Sequence, residues 1–242
     1  MLTTEQIDVL RGAGERLPLG RTNALALAAA HRTLPVYQAY SEGPFAATGH
    51  GLAHDAMVQA WRVLRARPGA SREGLLRTVD DAVDLAQRDL ESIHRADDFG
   101  LVEGLVVESV SAAVLALGSV VSGDRESAVG AMLAAIEVDL VWAEGRSDAE
   151  GGPVAFDDVL LHHGRQVRDV ELLSRPSEAD ENILFRDLAM RAEREGMPYL
   201  VGMRQLLVAR SDVAEDPVAD PAPSVRDQHD RWTDTPFRSR AR

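Results

Sequence analysis

The run from Leu101 to Val121, LVEGLVVESVSAAVLALGSVV, constrains this fold more than any other stretch. It is about long enough to span a bilayer, so its apolar surface must be covered by lipid or by the rest of the chain. Glu103 and Glu108 decide between the two. An acidic group at membrane depth costs on the order of 2.5–3.5 kcal/mol, and Gly104 and Gly118 weaken a spanning helix further. The run therefore reads as the central helix of a soluble bundle, apolar all round because it is buried all round. With 45% hydrophobic and 27% charged residues in 242, the chain has material for both a core and a wet surface.

Helical periodicity dominates the rest, and no stretch shows the alternation of a strand. The clearest stripe is Leu75, Val79, Ala82, Val83, Ala86, Leu90 and Ile93, which predicts a helix capped by Ser71. Glu73 to Arg77 and Asp84 to Arg88 lie on its wet face in the favourable i,i+4 order. Residues 3–15 predict a first helix, with Thr3 or Thr4 as cap and a weak end at Gly12 and Gly14. An alanine-rich helix follows over 20–34, with Leu27, Ala30 and Leu34 on one face. Pro35 is expected to break or kink it, leaving Val36, Tyr37 and Tyr40 as a short apolar turn. After a loop at 43–49, a helix covers 50–66 and ends at Pro68 and Gly69.

Beyond the central helix, Asp124 is placed to cap a helix that buries Val129, Met132, Leu133, Ile136 and Leu140 and stops before Gly145. Phe156, Val159, Leu160, Val167 and Val170 mark another over 156–173. Gly196 is expected to stop a helix over 178–195, and Pro198 to open a last one to Ala209. From Ser211 onward the chain holds four prolines and many charges but no aliphatic pattern, the composition of a disordered tail. The expected organisation is one all-α domain over 1–210, of about eight or nine helices, and a disordered tail over 211–242. Cutting after Ala209 should then leave stability within about 1 kcal/mol of the intact chain.

The chain lacks cysteine and lysine, which removes disulfides, thiolate sites, Schiff-base lysines and the phosphate lysine of a P-loop. A formal charge of -13 opposes nucleic-acid binding, since that affinity rests on neutralising phosphates. Neither a basic n-region nor an apolar h-region opens the chain, so a cytoplasmic location is expected.

His50 and His54 are four apart, the helical spacing that lets two imidazoles share a metal. The residue after His50 is Gly51, so this is not the H-E-x-x-H arrangement. A third ligand would have to come from elsewhere in the chain, His31, His163 and Glu137 being candidates. His162 and His163 are adjacent and diverge by about 100° on a helix, and His163 falls on a core stripe. Asp80, Asp81 and Asp84 fall on a wet face, Asp157 and Asp158 add a further acidic pair, and Asp97 and Asp98 stand where carboxylates cap a helix. A single Glu91-x-x-His94 has no second copy, which a di-iron bundle would need. G-x-S-x-G, P-loop and G-x-G-x-x-G motifs are missing. No catalytic residue and no cofactor is therefore assigned.

The stretch Ala28 to Glu42, with its Leu34-Pro35-x-Tyr37 step, and the later Asp97-Asp98-Phe99 resemble the YjaG-like family of bacterial helical proteins, a domain-of-unknown-function family. Asn182 to Leu207 looks like that family's closing pair of helices. The resemblance implies a soluble helical fold without an assigned activity and supplies no site residues.

These readings favour a non-catalytic module acting through a protein partner or as a homodimer, with toxin neutralisation or an adaptor role as concrete forms. Trp232 and Phe237, aromatics in the tail, are candidate partner contacts. A helical metal-binding protein using His50 and His54 is the alternative. Neither nucleic acid nor membrane is expected as a partner.

Overall fold

Two helices without a wet face organise the chain, and the others cover them. The computed structural model describes residues 4–43, 50–66, 70–94, 100–150, 156–175 and 180–215. Among these, all regular structure is helical: α1 (Thr4–Arg16), α2 (Leu19–Glu42), α3 (His50–Arg65), α4 (Ala70–His94), α5 (Leu101–Ser122), α6 (Arg125–Glu150), α7 (Phe156–Ser174) and α8 (Glu181–Glu215).

α5 is the central helix that its composition demands. It has the length and apolarity to cross a membrane, yet 67% of its most apolar window is buried inside the bundle. α6, α2 and α4 pack on it, and α3 and α8 touch it. Its N-terminus is capped by Glu103, whose Oε2 accepts the Gly100 N–H at 3.0 Å. Asp97 and Asp98, the expected caps, lie outside the described residues.

α2 is the second core helix. Every residue from Thr22 to Leu34 is buried, not only the Leu27–Ala30–Leu34 face. Alanine at 24, 26, 28, 29 and 30 lets neighbours approach from all sides, so α3, α5, α6 and α8 all pack against it. On α4 the stripe read from the sequence faces inward, with Val79, Ala82, Ala86 and Ile93 buried and Leu75, Val83 and Leu90 packed at its edge. Asp124 caps α6 as its position suggests, accepting the N–H groups of Glu126 at 3.1 Å and Ser127 at 3.0 Å.

Three helix ends differ from expectation, for one physical reason. α2 runs through Pro35 to Glu42, taking Val36, Tyr37 and Tyr40 into the helix. α6 runs through Gly145 to Glu150. α8 is one helix through Gly196 and Pro198, not two. In each case a tertiary contact holds what local propensity would release. A Cβ on Gly196 would sit 2.7 Å from the Arg32 carbonyl oxygen and 3.1 Å from Pro35 Cγ, so this glycine is where α8 crosses closest over the proline segment of α2. A Cβ on Gly145 would run into the Leu101 side chain, so that glycine lets α6 close on the start of α5. α8 also continues past the expected boundary at 210/211 as far as Glu215. Residues 216–242, with Trp232 and Phe237, lie outside the described residues, as does the loop at 44–49.

Candidate functional site

The densest buried polar group links α2, α7 and α8. Arg32 is fully buried, one turn ahead of Pro35. Its Nη2 donates to Asp169 Oδ2 at 2.5 Å, and its Nε to Glu195 Oε2 at 2.6 Å. Arg191 donates to the other Asp169 oxygen, and Arg168 donates to Glu195 Oε1 at 2.5 Å. Burial lifts the pKa of Asp169 above its ordinary value despite the opposing charges of Arg32 and Arg191. Burial also pushes Glu195 up, but Arg32 by charge and hydrogen bond, then Arg168, hold it below its ordinary value overall. Two side chains elsewhere make comparable ties. Tyr199 donates to Asp139 Oδ1 at 2.5 Å between α8 and α6. Arg210 donates to buried Glu103 at 2.5 Å between α8 and α5. Together these interactions clamp α8 along its length onto the core.

The other face of α8 is unusual for its solvent side. Its large exposed apolar residues are Ile183, Met190, Met197, Val201 and Val208, each 48–61% exposed. At about 100° per residue these five fall within roughly 40° of arc, in a row about 38 Å long. Phe185, Leu188, Ala192, Tyr199, Met203 and Leu207 occupy the opposite, buried face. Single exposed apolar residues are ordinary, whereas five aligned on one side of a helix make that side a candidate contact surface. At its N-terminal end the row enters a shallow groove of about 420 Å³ between α8 and the end of α3, lined by Arg62, Arg65, Ala66, Asn182, Ile183 and Arg186.

The structure scatters the residues singled out from the sequence. His50 begins α3, and its side chain lies outside the described residues. His54 is exposed, with Nδ1 3.8 Å from Asp55 Oδ1. Of the three candidate third ligands, His31 lies within reach of the His54 charge. Burial, then the charges of His54 and Arg32, push the His31 imidazole down to about 4, so it is neutral at physiological pH. Glu137 and His163 lie on α6 and α7, whereas α3 packs on α2, α4, α5 and α8. Among the described residues, no three His, Asp or Glu side chains gather as a metal-binding group. Asp80, Asp81 and Asp84 are exposed on α4, as their helical phase requires. The side chains of His162, Asp157 and Asp158 fall outside the described residues.

Two functional features escape sequence reasoning. Arg32 looks like one charge in an alanine-rich run, and its partners are 137 and 163 residues away. The α8 row is visible only once 181–215 is one helix, because two short helices would place Met190 and Val201 on different elements.

No family model matches the chain, and none of the curated proteins does. Among solved structures it is similar to the crystal structure of a DUF416 family protein from Shewanella baltica OS155. The two are 16% identical, with a TM-score of 0.45 over 87% of this chain and 95% of that one. An overlap this loose assigns neither family nor activity, and the YjaG-like resemblance stays an expectation.

Proposed function

We propose that this protein is a non-catalytic helical module that acts by binding another protein through the outer face of α8, in the cytoplasm and independently of nucleic acid and membrane. The observation that supports this is the row Ile183, Met190, Met197, Val201 and Val208, aligned on a helix whose inner face is fixed by ion pairs. The acidic surface and the lack of catalytic motifs agree with it. The test is affinity purification from the source cells with intact protein and with Val201→Asp. A stoichiometric partner that is lost from the variant, with an unchanged thermal melt, supports the reading. A partner retained by Val201→Asp, or no partner in either sample, refutes it.

A second reading has one specific observation in its favour. His31 is buried, its Nδ1 makes no hydrogen bond among the described residues, and it feels the charge of His54 on α3, the helix that His50 opens. A neutral buried imidazole beside a second histidine is the beginning of a metal site. Untagged protein would then carry stoichiometric metal, reduced in His50→Ala and His54→Ala. Metal-free protein with unshifted melts in both variants ends this reading.

A further inference from the structure

The groove at the N-terminal end of the α8 row differs in charge from the rest of the molecule. In a chain of formal charge -13, three of its six lining residues are arginines and none is a carboxylate. Of the described acids beside it, Glu181 is drawn to Arg21 at 3.0 Å and the Asp180 carboxylate accepts the Asn182 N–H at 3.0 Å, whereas Asp187 pairs with the groove's own Arg186 at 3.1 Å, so the positive charge of the groove rests mainly on Arg62 and Arg65. Arg65 Nε is committed to the Trp61 carbonyl at 3.0 Å, and Arg62 donates to the Gln59 side chain at 3.3 Å. Exposed arginines continue along the borders of the row at 194 and 204, the latter paired with Glu42 at 2.5 Å. Asp187 and Glu193 are exposed on the same face, so the outer face of α8 is an apolar line whose charged border holds more arginines (186, 194 and 204) than carboxylates.

Resting on the contact surface proposed above, we infer that the partner presents an acidic amphipathic helix: its apolar stripe lies along Ile183 to Val208, and a cluster of its carboxylates sits in the Arg62–Arg65–Arg186 groove. Guanidinium groups match carboxylates in bidentate geometry, and complementary rims fix register and raise association rates. A second copy of this chain fits less well. Antiparallel pairing of two rows centres between residues 195 and 196 and sets the Arg194 of each copy within about 5 Å of the other along the axis.

The probes are two fluorescent helical peptides of about 21 residues, which match most of the row in length. Both carry leucine at a and d positions; one is flanked by glutamate, the other by lysine. Binding is read by anisotropy at low and high salt, with intact protein, Val201→Asp and Arg62→Glu/Arg186→Glu, each checked for an unchanged melt. The glutamate peptide should bind about tenfold more tightly than the lysine peptide, and salt should erase the difference. The double arginine variant should abolish that preference, and Val201→Asp should weaken both peptides. Equal affinities, or a preference unmoved by the arginine variant, overturn the acidic-partner inference while Val201 dependence keeps the α8 surface intact. Binding insensitive to Val201→Asp, or no binding by either peptide, overturns both. Val201-dependent binding to phosphatidylglycerol vesicles without peptide binding, or Val201-dependent dimerisation in sedimentation, would give the surface to lipid or to a second copy and likewise overturn the inference.

Discussion

Glu108 lies half-buried on α5, where burial and then the charge of Glu137 on α6 raise its pKa from 4.5 to about 8. It is therefore largely protonated at neutral pH. The folded state binds one more proton than the unfolded chain between pH 4.5 and about 8, so stability must fall as pH rises through that window. At about 1.36 kcal/mol per pKa unit, the full interval bounds the effect at about 4.8 kcal/mol. Solvent reaching the partly exposed carboxyl reduces it to roughly 2–3 kcal/mol. Glu108→Gln keeps the shape and removes the titration. Urea unfolding followed by circular dichroism should show the variant within about 1 kcal/mol of the parent at pH 4.5 and about 2–3 kcal/mol more stable at pH 8.5. Taking the difference between variant and parent at each pH cancels the titration of other carboxylates. A difference that stays constant from pH 4.5 to 8.5 would refute the assigned shift and the Glu108–Glu137 opposition behind it.

Gly196→Ala should cost about 1–3 kcal/mol in the same assay, because the new methyl meets the Arg32 carbonyl and the Pro35 ring; a neutral result would mean that α8 does not cross α2 so closely. Truncation after Ala209 removes Arg210 and leaves Glu103 buried without that partner, so a loss of about 3 kcal/mol is expected instead of the near-neutral cut read from the sequence. Truncation after Glu215 keeps that ion pair and should leave the melt unchanged. Asp124→Ala should lose about 1 kcal/mol through the α6 N-cap, measured as a lower urea midpoint.

The helical class and the position of nearly every helix are legible in the sequence because apolar spacing reports which face is covered, whatever covers it. Helix continuity is less legible. Pro35, Gly145, Gly196 and Pro198 are local stop signals that the helices run through, and Pro35, Gly145 and Gly196 do so at close contacts with distant elements that local pattern cannot contain. The same limit applies to the candidate site. The i,i+4 pair of His50 and His54 is readable at sight, whereas Arg32, Asp169 and Glu195 become one unit only when α2, α7 and α8 meet. Exposure is also a tertiary property. Nothing in the sequence sets Met197 and Val201 apart from Met203 and Leu207 until the fold shows which side of α8 the core takes.

The buried charges and the exposed row belong to one design. A helix carrying five large apolar groups toward solvent gains nothing in folding from that face, so its inner face must hold it. Hydrophobic packing alone would let a 35-residue helix slide or rotate at modest cost, and rotation would turn the row into the core. Directional ties prevent this. Arg191 and Glu195 fix the azimuth against Arg32 and Asp169, Tyr199 ties the helix to Asp139, and Arg210 fixes the far end at Glu103. Buried ion pairs are weak sources of net stability but set orientation when both partners are present. The row is thus held in one orientation, and the partner proposed for it would lose little entropy in ordering α8. Loosening the clamp by Arg32→Met should therefore weaken peptide binding at residues it never touches, whereas an equally destabilising core change far from α8, such as Val79→Ala, should not. Equal weakening by both would show that the row depends on global stability and not on the clamp.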